Sequence, residues 1–321
     1  MGGFVVGMER AGVDTVLCND VESACVRTLI KNWGEDSVDP RSIDDQSLLE
    51  LAPKLGEIDI VSGGFPCQSF SVAGNQKGFD DLERGSKFFD MMSFVDSLLE
   101  PPKIIFLENV PNLKIYNGGQ WLSDILNALK KRGFWISQKQ CMILNSKDVV
   151  GSAQSRERLF MIAYNQKFFK KNYFKAPPTA EPAEYEDLWS LLNLNRKEDD
   201  RIYLSPENKH YRMLDEAMKT DGADRLYQVR RGSVRANPRG VCPTLTANMG
   251  GGGHNVPFVR DSYGIRRLSV SECLRLQGFP SNFEFGEGLP DSAKLKMIGN
   301  SVNPKLIEVL TRQLVRDING I

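Results

Sequence analysis

Short apolar runs alternate with helix-period segments across the first 165 residues, and this alternation leaves few architectures open. Asp14–Asn19 reads as a strand and Glu22–Trp33 as a helix. Ile58–Ser62 reads as a strand, followed by a glycine-rich loop and a helix from about Ser86 to Leu99. Lys103–Leu107 carries Ile-Ile-Phe-Leu, too short and too β-rich for a helix. Gln120–Lys131 places apolar residues at 122, 125, 126 and 129, one face of a helix. Phe134–Leu144 and Leu159–Tyr164 complete the strands. Elements in this order predict an α/β fold, a mainly parallel doubly wound sheet with helices on both faces.

The texture changes after Tyr164. Pro177, Pro178, Pro182 and the charged run 196–201 interrupt the pattern, and periodicity stays poor to about residue 265, with a flexible loop expected at Gly250–Gly253. This predicts a second, smaller, irregular domain. Helical signals return at Ser269–Leu276. A last helix begins at Asn303-Pro304, an N-cap residue followed by proline at the first helical position, and ends near Asp317. A chain of 321 residues suits about two domains.

No apolar run approaches the ~18 residues of a membrane span, and the N-terminus has no basic n-region or secretory cleavage pattern. A cytoplasmic protein is expected. Six cysteines without a Cys-x-x-Cys pair and two histidines argue against a metal site or a disulfide framework. Formal net charge is zero, which argues against indiscriminate coating of nucleic acid. A local basic face does exist. Residues 225–240 hold five arginines (225, 230, 231, 235 and 239) and no acid. They read either as a solvated loop or as contacts to phosphates and guanine edges.

Residues 61–71, Val-Ser-Gly-Gly-Phe-Pro-Cys-Gln-Ser-Phe-Ser, run from a strand into a Gly/Pro turn with a thiol at its apex. Cys67 sits in the loop beyond the carboxyl end of a strand, where such sheets carry their chemistry, and is a candidate nucleophile. Glu108 follows the strand 103–107, so its carboxyl projects at the same edge. The competing reading is a strand-end carboxylate paired with an arginine or a helix N-terminus. Arg156 and Arg158 follow the small-residue turn 151–153, and alternate residues of an extended backbone point the same way.

In order along the chain stand Gly-Gly-Phe-Pro-Cys-Gln-Ser-Phe-Ser-Val-Ala-Gly (63–74), Arg84-Gly85 with Phe88-Phe89, Glu108-Asn109-Val110, Gln154-Ser-Arg156-Glu-Arg158, Pro243-Thr-Leu-Thr, Arg267-Leu-Ser with Glu272 and Arg275-Leu-Gln-Gly-Phe-Pro, and Ile298-Gly-Asn-Ser-Val. With these the chain resembles the cytosine-C5 DNA methyltransferases of bacterial restriction–modification systems over nearly its whole length. The resemblance implies a Rossmann-like methyltransferase fold. It also implies a catalytic and donor-binding domain of residues 1–165 plus 295–321, and a target-recognition domain of residues 166–294.

It further implies S-adenosylmethionine as methyl donor, no metal, and a monomer acting on double-stranded DNA, with a cognate restriction endonuclease as a possible companion. Cys67 would add to C6 of a cytosine flipped from the duplex. Glu108 would hydrogen-bond N3, in a buried and protonated form. Arg158 would orient the O2 edge. Arg156 would support the carboxylate or the catalytic loop, a structural salt bridge being its competing role. Asp20, Val21, Asp39 and Pro66 would line the donor pocket, with Gly3 and Phe4 from the N-terminal glycine element and Asn300 and Ser301 returning from the C-terminus. Arg230, Arg231, Arg235 and Arg239 would face the DNA.

Some features depart from the pattern. Only Gly2, Gly3 and Phe4 match the end of the family's opening strand-and-glycine element, so the first strand is expected to be missing between those bearing Asp20 and Cys67. That would leave unpaired edges, and either an internal start or an inactive form. Lys87 replaces an apolar residue beside the donor pocket, and Asn303 stands where many members have Pro or Val. Three readings stay open: an active DNA methyltransferase, a non-catalytic DNA-binding remnant, and a tRNA cytosine methyltransferase.

Overall fold

The computed structural model describes residues 1–66, 87–230, 232–251 and 255–320. Cys67, Arg231, the Arg84-Gly85 element and Gly252 and Gly253 of the Gly250–Gly253 loop lie outside the described residues. In chain order the elements are α1 (Gly3–Arg10), β1 (Cys18–Asn19), α2 (Ser23–Trp33), β2 (Val38–Asp39), α3 (Gln46–Leu51), β3 (Ile60–Gly64), α4 (Lys87–Asp96), β4 (Ile104–Asn109), α5 (Gln120–Lys131), β5 (Phe134–Trp135), β6 (Cys141–Asn145), α6 (Ser146–Val150) and β7 (Glu157–Asn165). Then follow α7 (Tyr211–Asp221), β8 (Tyr227–Arg230), β9 (Ser233–Ala236), β10 (Phe258–Asp261), β11 (Gly264–Arg267), α8 (Val270–Leu276), α9 (Asp291–Asn300) and α10 (Pro304–Asn319).

The described elements form an α/β fold. Among the described residues, the main sheet runs β3-β4-β7-β5, with β6 also paired to β7. β4 is its centre, and Ile104, Ile105, Phe106 and Leu107 are all fully buried. On one face α4 and α5 pack Phe88, Met92, Leu122, Ile125, Leu126 and Leu129 against Ile105 and Leu107. On the other, α1 and α10 bring Met8, Leu306, Ile307 and Leu310 against Ile104 and Phe106. The chain stays on this second core past Asn165, as far as Phe174. α10 starts as its sequence predicts, with the Asn303 side chain accepting from Leu306 N and proline in the first turn. No described helix is long and apolar enough to cross a membrane.

The structure corrects three strand expectations. Asp14–Asn19 shortens to β1, whose one described partner is β2, in parallel, while β3 ends the main sheet beside β4. A strand paired on one edge alone has half the ladder to hold it. Phe134–Leu144 is two strands rather than one, split at the turn Gln138–Gln140 by a capping box between Ser137 and Gln140. β3 and β4 are parallel, but β7 is antiparallel to β4, β5 and β6. Residues 146–156 are too few for a crossover between β6 and β7, so the chain must reverse there.

The second sheet, β11-β10-β8-β9 among the described residues, is antiparallel, and α7 covers one of its faces. Arg266 is fully buried between Asp261 (2.6 Å) and Glu272 (2.8 Å) and joins this sheet to α8. Glu272 also closes the capping box with Ser269 that starts α8.

Candidate active site

Strand register brings the predicted residues together. β3 and β4 align Gly64 with Glu108, so the chain leading to Pro66 and Cys67 leaves the sheet beside that carboxylate. A Cβ on Gly64 would lie 3.0 Å from Glu108 Oε2, so glycine leaves the carboxylate room. Asn109 Nδ2 donates to Phe65 O at 2.8 Å in a buried bond and fixes the direction of exit. Residue typing did not single out Asn109. Its place after a strand-end acid, facing a Gly/Pro turn, was the available signal.

β7 pairs Phe160 with Glu108, so Arg158 lies diagonally across from Glu108 on the same face. The Arg158 Nε donates to Glu108 Oε1 at 2.9 Å, and both side chains are about 15% exposed or less (15% and 13%). Burial pushes the Glu108 carboxyl above its ordinary range, and the nearby guanidinium groups of Arg158 and Arg156 oppose the shift without reversing it.

Arg156 makes neither a bond to the Glu108 carboxylate nor, among the described residues, the competing structural salt bridge. Among the described residues no carboxylate lies within ion-pairing distance of it. Its guanidinium instead donates to Leu245 O (2.6 Å), Gly299 O (2.9 Å) and Ser301 O (2.5 Å). It is 1% exposed, and its Nε has no partner among the described residues. Arg156 therefore fastens the 243–247 and 299–301 segments to the start of β7. Gln154 does the same, reaching Leu245 N, Leu276 O and Gln277.

At the other sheet edge predicted to carry site residues, parallel pairing sets Asn19 opposite Asp39. Asp20 Oδ1 accepts from Glu22 N at 3.0 Å, and Val21 beside it is 60% exposed. A half-buried carboxylate next to an open apolar face suits a ribose and a purine ring. Asp39 is less open: Arg41 donates to it from both its backbone (2.9 Å) and its guanidinium, which hold the carboxyl below its usual range. An amino group reaching Asp39 must share it with Arg41. Gly3 packs on Ser301, where a Cβ would fall 2.4 Å from Oγ. The Phe4 ring meets Phe106 edge-on at 5.2 Å, within the core. Asn300 is exposed, whereas Ser301 is buried.

The arginine segment forms the β8–β9 hairpin. Tyr227, Val229, Val234 and Ala236 face the α7 core. The ladder aligns Gln228 with Arg235 and Arg230 with Ser233, so Arg230 and Arg235 share the opposite face, and both are exposed. Its arginines are not all unopposed. Asp224, one residue outside the acid-free stretch, holds Arg239 at 2.9 Å, and Arg225 donates to the Asp221 and Asn237 carbonyls.

A family model described as "C-5 cytosine-specific DNA methylase" matches residues 1–316. The type II methyltransferase M.Bsp6I of Bacillus sp. (strain RFL6) is 35% identical over 320 residues, covering 99% of this chain and 96% of the relative. The type II methyltransferase M.NgoBI of Neisseria gonorrhoeae is 31% identical, covering 98% and 90%. Among solved structures, the S. pombe Dnmt2 methyltransferase superposes with a TM-score of 0.71 at 16% identity, covering 99% of this chain and 96% of that one. The Entamoeba histolytica methyltransferase EhMeth superposes with a TM-score of 0.70 at 18% identity, covering 99% and 95%. At these identities the two structures bear on the fold alone.

Proposed function

The chain belongs to the C-5 cytosine-specific DNA methylase family and is a DNA cytosine-C5 methyltransferase; from that premise we propose that it acts through a covalent Cys67–C6 adduct on a base swung out of the duplex. The observation that carries this reading is the Glu108–Arg158 pair at 2.9 Å, beside the strand end that leads to Cys67. C5 of cytosine is too weak a nucleophile to accept a methyl group unaided. A thiolate at Cys67 forms a bond to C6, and the displaced electron pair moves toward N3 and C5. In its protonated form, which burial favours, Glu108 donates to N3 as charge develops there. Arg158 donates to O2 and holds the ring in place. S-adenosylmethionine, when bound, supplies an electrophilic methyl group on a sulfonium. With the methyl group on C5, water takes the C5 proton, N3 gives its proton back to Glu108, and breakage of the Cys67–C6 bond restores the aromatic ring and the thiolate.

Asp20 and Val21 support a reading as ribose and adenine contacts, with Pro66, Gly3, Asn300 and Ser301 completing the donor pocket. Asp39 would contribute through an oxygen shared with Arg41, and Phe4 by supporting the wall from within the core. Residues 1–165 plus 295–321 are proposed as the catalytic part and 166–294 as the target-recognition part. A role as the protective half of a restriction–modification pair, acting as a monomer, is proposed on the same footing. Arg230 and Arg235 are proposed DNA contacts, with Arg231 between them in sequence and Arg239 weakened by Asp224. Replacing Arg230 or Arg235 with Ala should each reduce the slope of log affinity against log salt by about one, and Arg239→Ala by less. Slopes unchanged from the parent in all three variants would remove the hairpin from the DNA interface.

Bisulfite sequencing of host DNA with and without the protein tests the function as a whole. A specific duplex site should become protected at one cytosine. Labelling of RNA alone would favour the tRNA reading. Binding without methyl transfer would favour a non-catalytic remnant.

A further inference from the structure

Three buried polar side chains link the two ends of the site. Gln154, Arg156 and Gln277 are each at most 1% exposed. Gln154 Nε2 donates to Gln277 Oε1 at 2.9 Å, and Gln277 Nε2 donates onward to Ser301 O at 2.9 Å. Four residues after Gln154, the extended chain delivers Arg158 to Glu108. At the other end, Ser301 abuts Gly3. A continuous path of buried hydrogen bonds therefore runs from the donor-side loop to the strand that carries the base-facing arginine.

Gln277 takes one of the two Gln154 Nε2 hydrogens, Leu276 O at 3.1 Å taking the other, and gives Ser301 O a second donor beside Arg156 Nη2 at 2.5 Å. An apolar side chain of the same size would fill the volume but leave one buried Gln154 N–H unpaired. What Gln277 adds is a direct connection between residues 154 and 301. Bonds shielded from water do not trade partners with solvent, so movement at one end is carried to the other.

We propose that Gln277 is a positioning residue whose buried carboxamide couples the donor pocket at Ser301 to the Glu108–Arg158 pair, so that ligands at the two ends strengthen each other's binding. This rests on the reading above that Ser301 borders the donor and Arg158 the target base.

The test titrates S-adenosylhomocysteine into the full chain, with and without a duplex carrying the site found by bisulfite sequencing. In the parent protein the duplex should tighten S-adenosylhomocysteine binding by about tenfold. Gln277→Met should leave each separate affinity within about threefold and reduce the coupling to about threefold or less. Undiminished coupling in Gln277→Met, or no coupling in a parent that methylates the duplex, overturns the inference while leaving the function intact. A parent that methylates no duplex overturns the functional reading and this inference together. Should Gln277→Met fail to fold, amide exchange in the parent decides. S-adenosylhomocysteine alone should slow exchange across residues 153–158, and unchanged exchange there overturns the proposal.

Discussion

Glu108→Gln should lower turnover by on the order of 10²–10³-fold, while target-duplex affinity stays within about threefold of the parent. The carboxyl is held above its ordinary range by burial, in spite of Arg158 at 2.9 Å. A proton retained at Glu108 can be shared with N3 as charge builds there, whereas a Gln amide donates more weakly and cannot yield a proton. The same shift has a stability signature. A carboxyl whose native pKa lies above its unfolded value contributes stability that is complete below the unfolded value, about pH 4.3, and is lost as pH rises through the native value. Glu108→Gln, always neutral, lacks that loss. Its unfolding free energy relative to the parent should therefore rise from acid toward neutral pH. Urea titrations of both proteins across that range check the sign, and a relative stability that falls with pH would mean the carboxyl is ionised with its pKa depressed.

Arg156→Ala should destabilise the fold by about 3–5 kcal/mol, and Arg158→Ala by about 1 kcal/mol or less with a large loss of turnover. The two arginines sit two residues apart in one motif, yet the structure separates their work. Removing the Arg156 guanidinium strips partners from the buried Leu245 and Gly299 carbonyls and leaves a cavity at the junction of three segments. Arg158 instead donates a hydrogen bond to Glu108 at the end of β4. Denaturation midpoints and turnover, measured on both variants, report the division. A benign Arg156→Ala would refute it.

Where spacing alone sets the outcome, the sequence was readable. The apolar residues 122, 125, 126 and 129 of α5 are all buried, and the Asn303-Pro304 start of α10 caps as expected. Glu108 and Arg158 meet because strand alternation and a short reversal leave them little choice. What remained hidden depends on partners distant in sequence. The extended stretch before β1 shortens because ladder support comes from β2 alone among the described residues, which composition cannot show. Asp224 lies one residue outside the basic stretch but folds back onto Arg239. Gln154 and Gln277 are polar residues whose importance comes from complete burial, a property of the packed core rather than of the residue type.

The proposed chemistry turns on a bond between Cys67 and the ring. A duplex carrying 5-fluorocytosine at the methylated position blocks loss of the C5 substituent and so arrests the reaction after methyl transfer. Incubated with this protein and S-adenosylmethionine, it should yield a denaturant-stable protein–DNA complex of one-to-one mass, with the modification mapping to Cys67, and none with Cys67→Ser. A protein that methylates ordinary cytosine yet forms no such complex with the fluorinated duplex, or whose methyl transfer survives Cys67→Ser, would contradict the account.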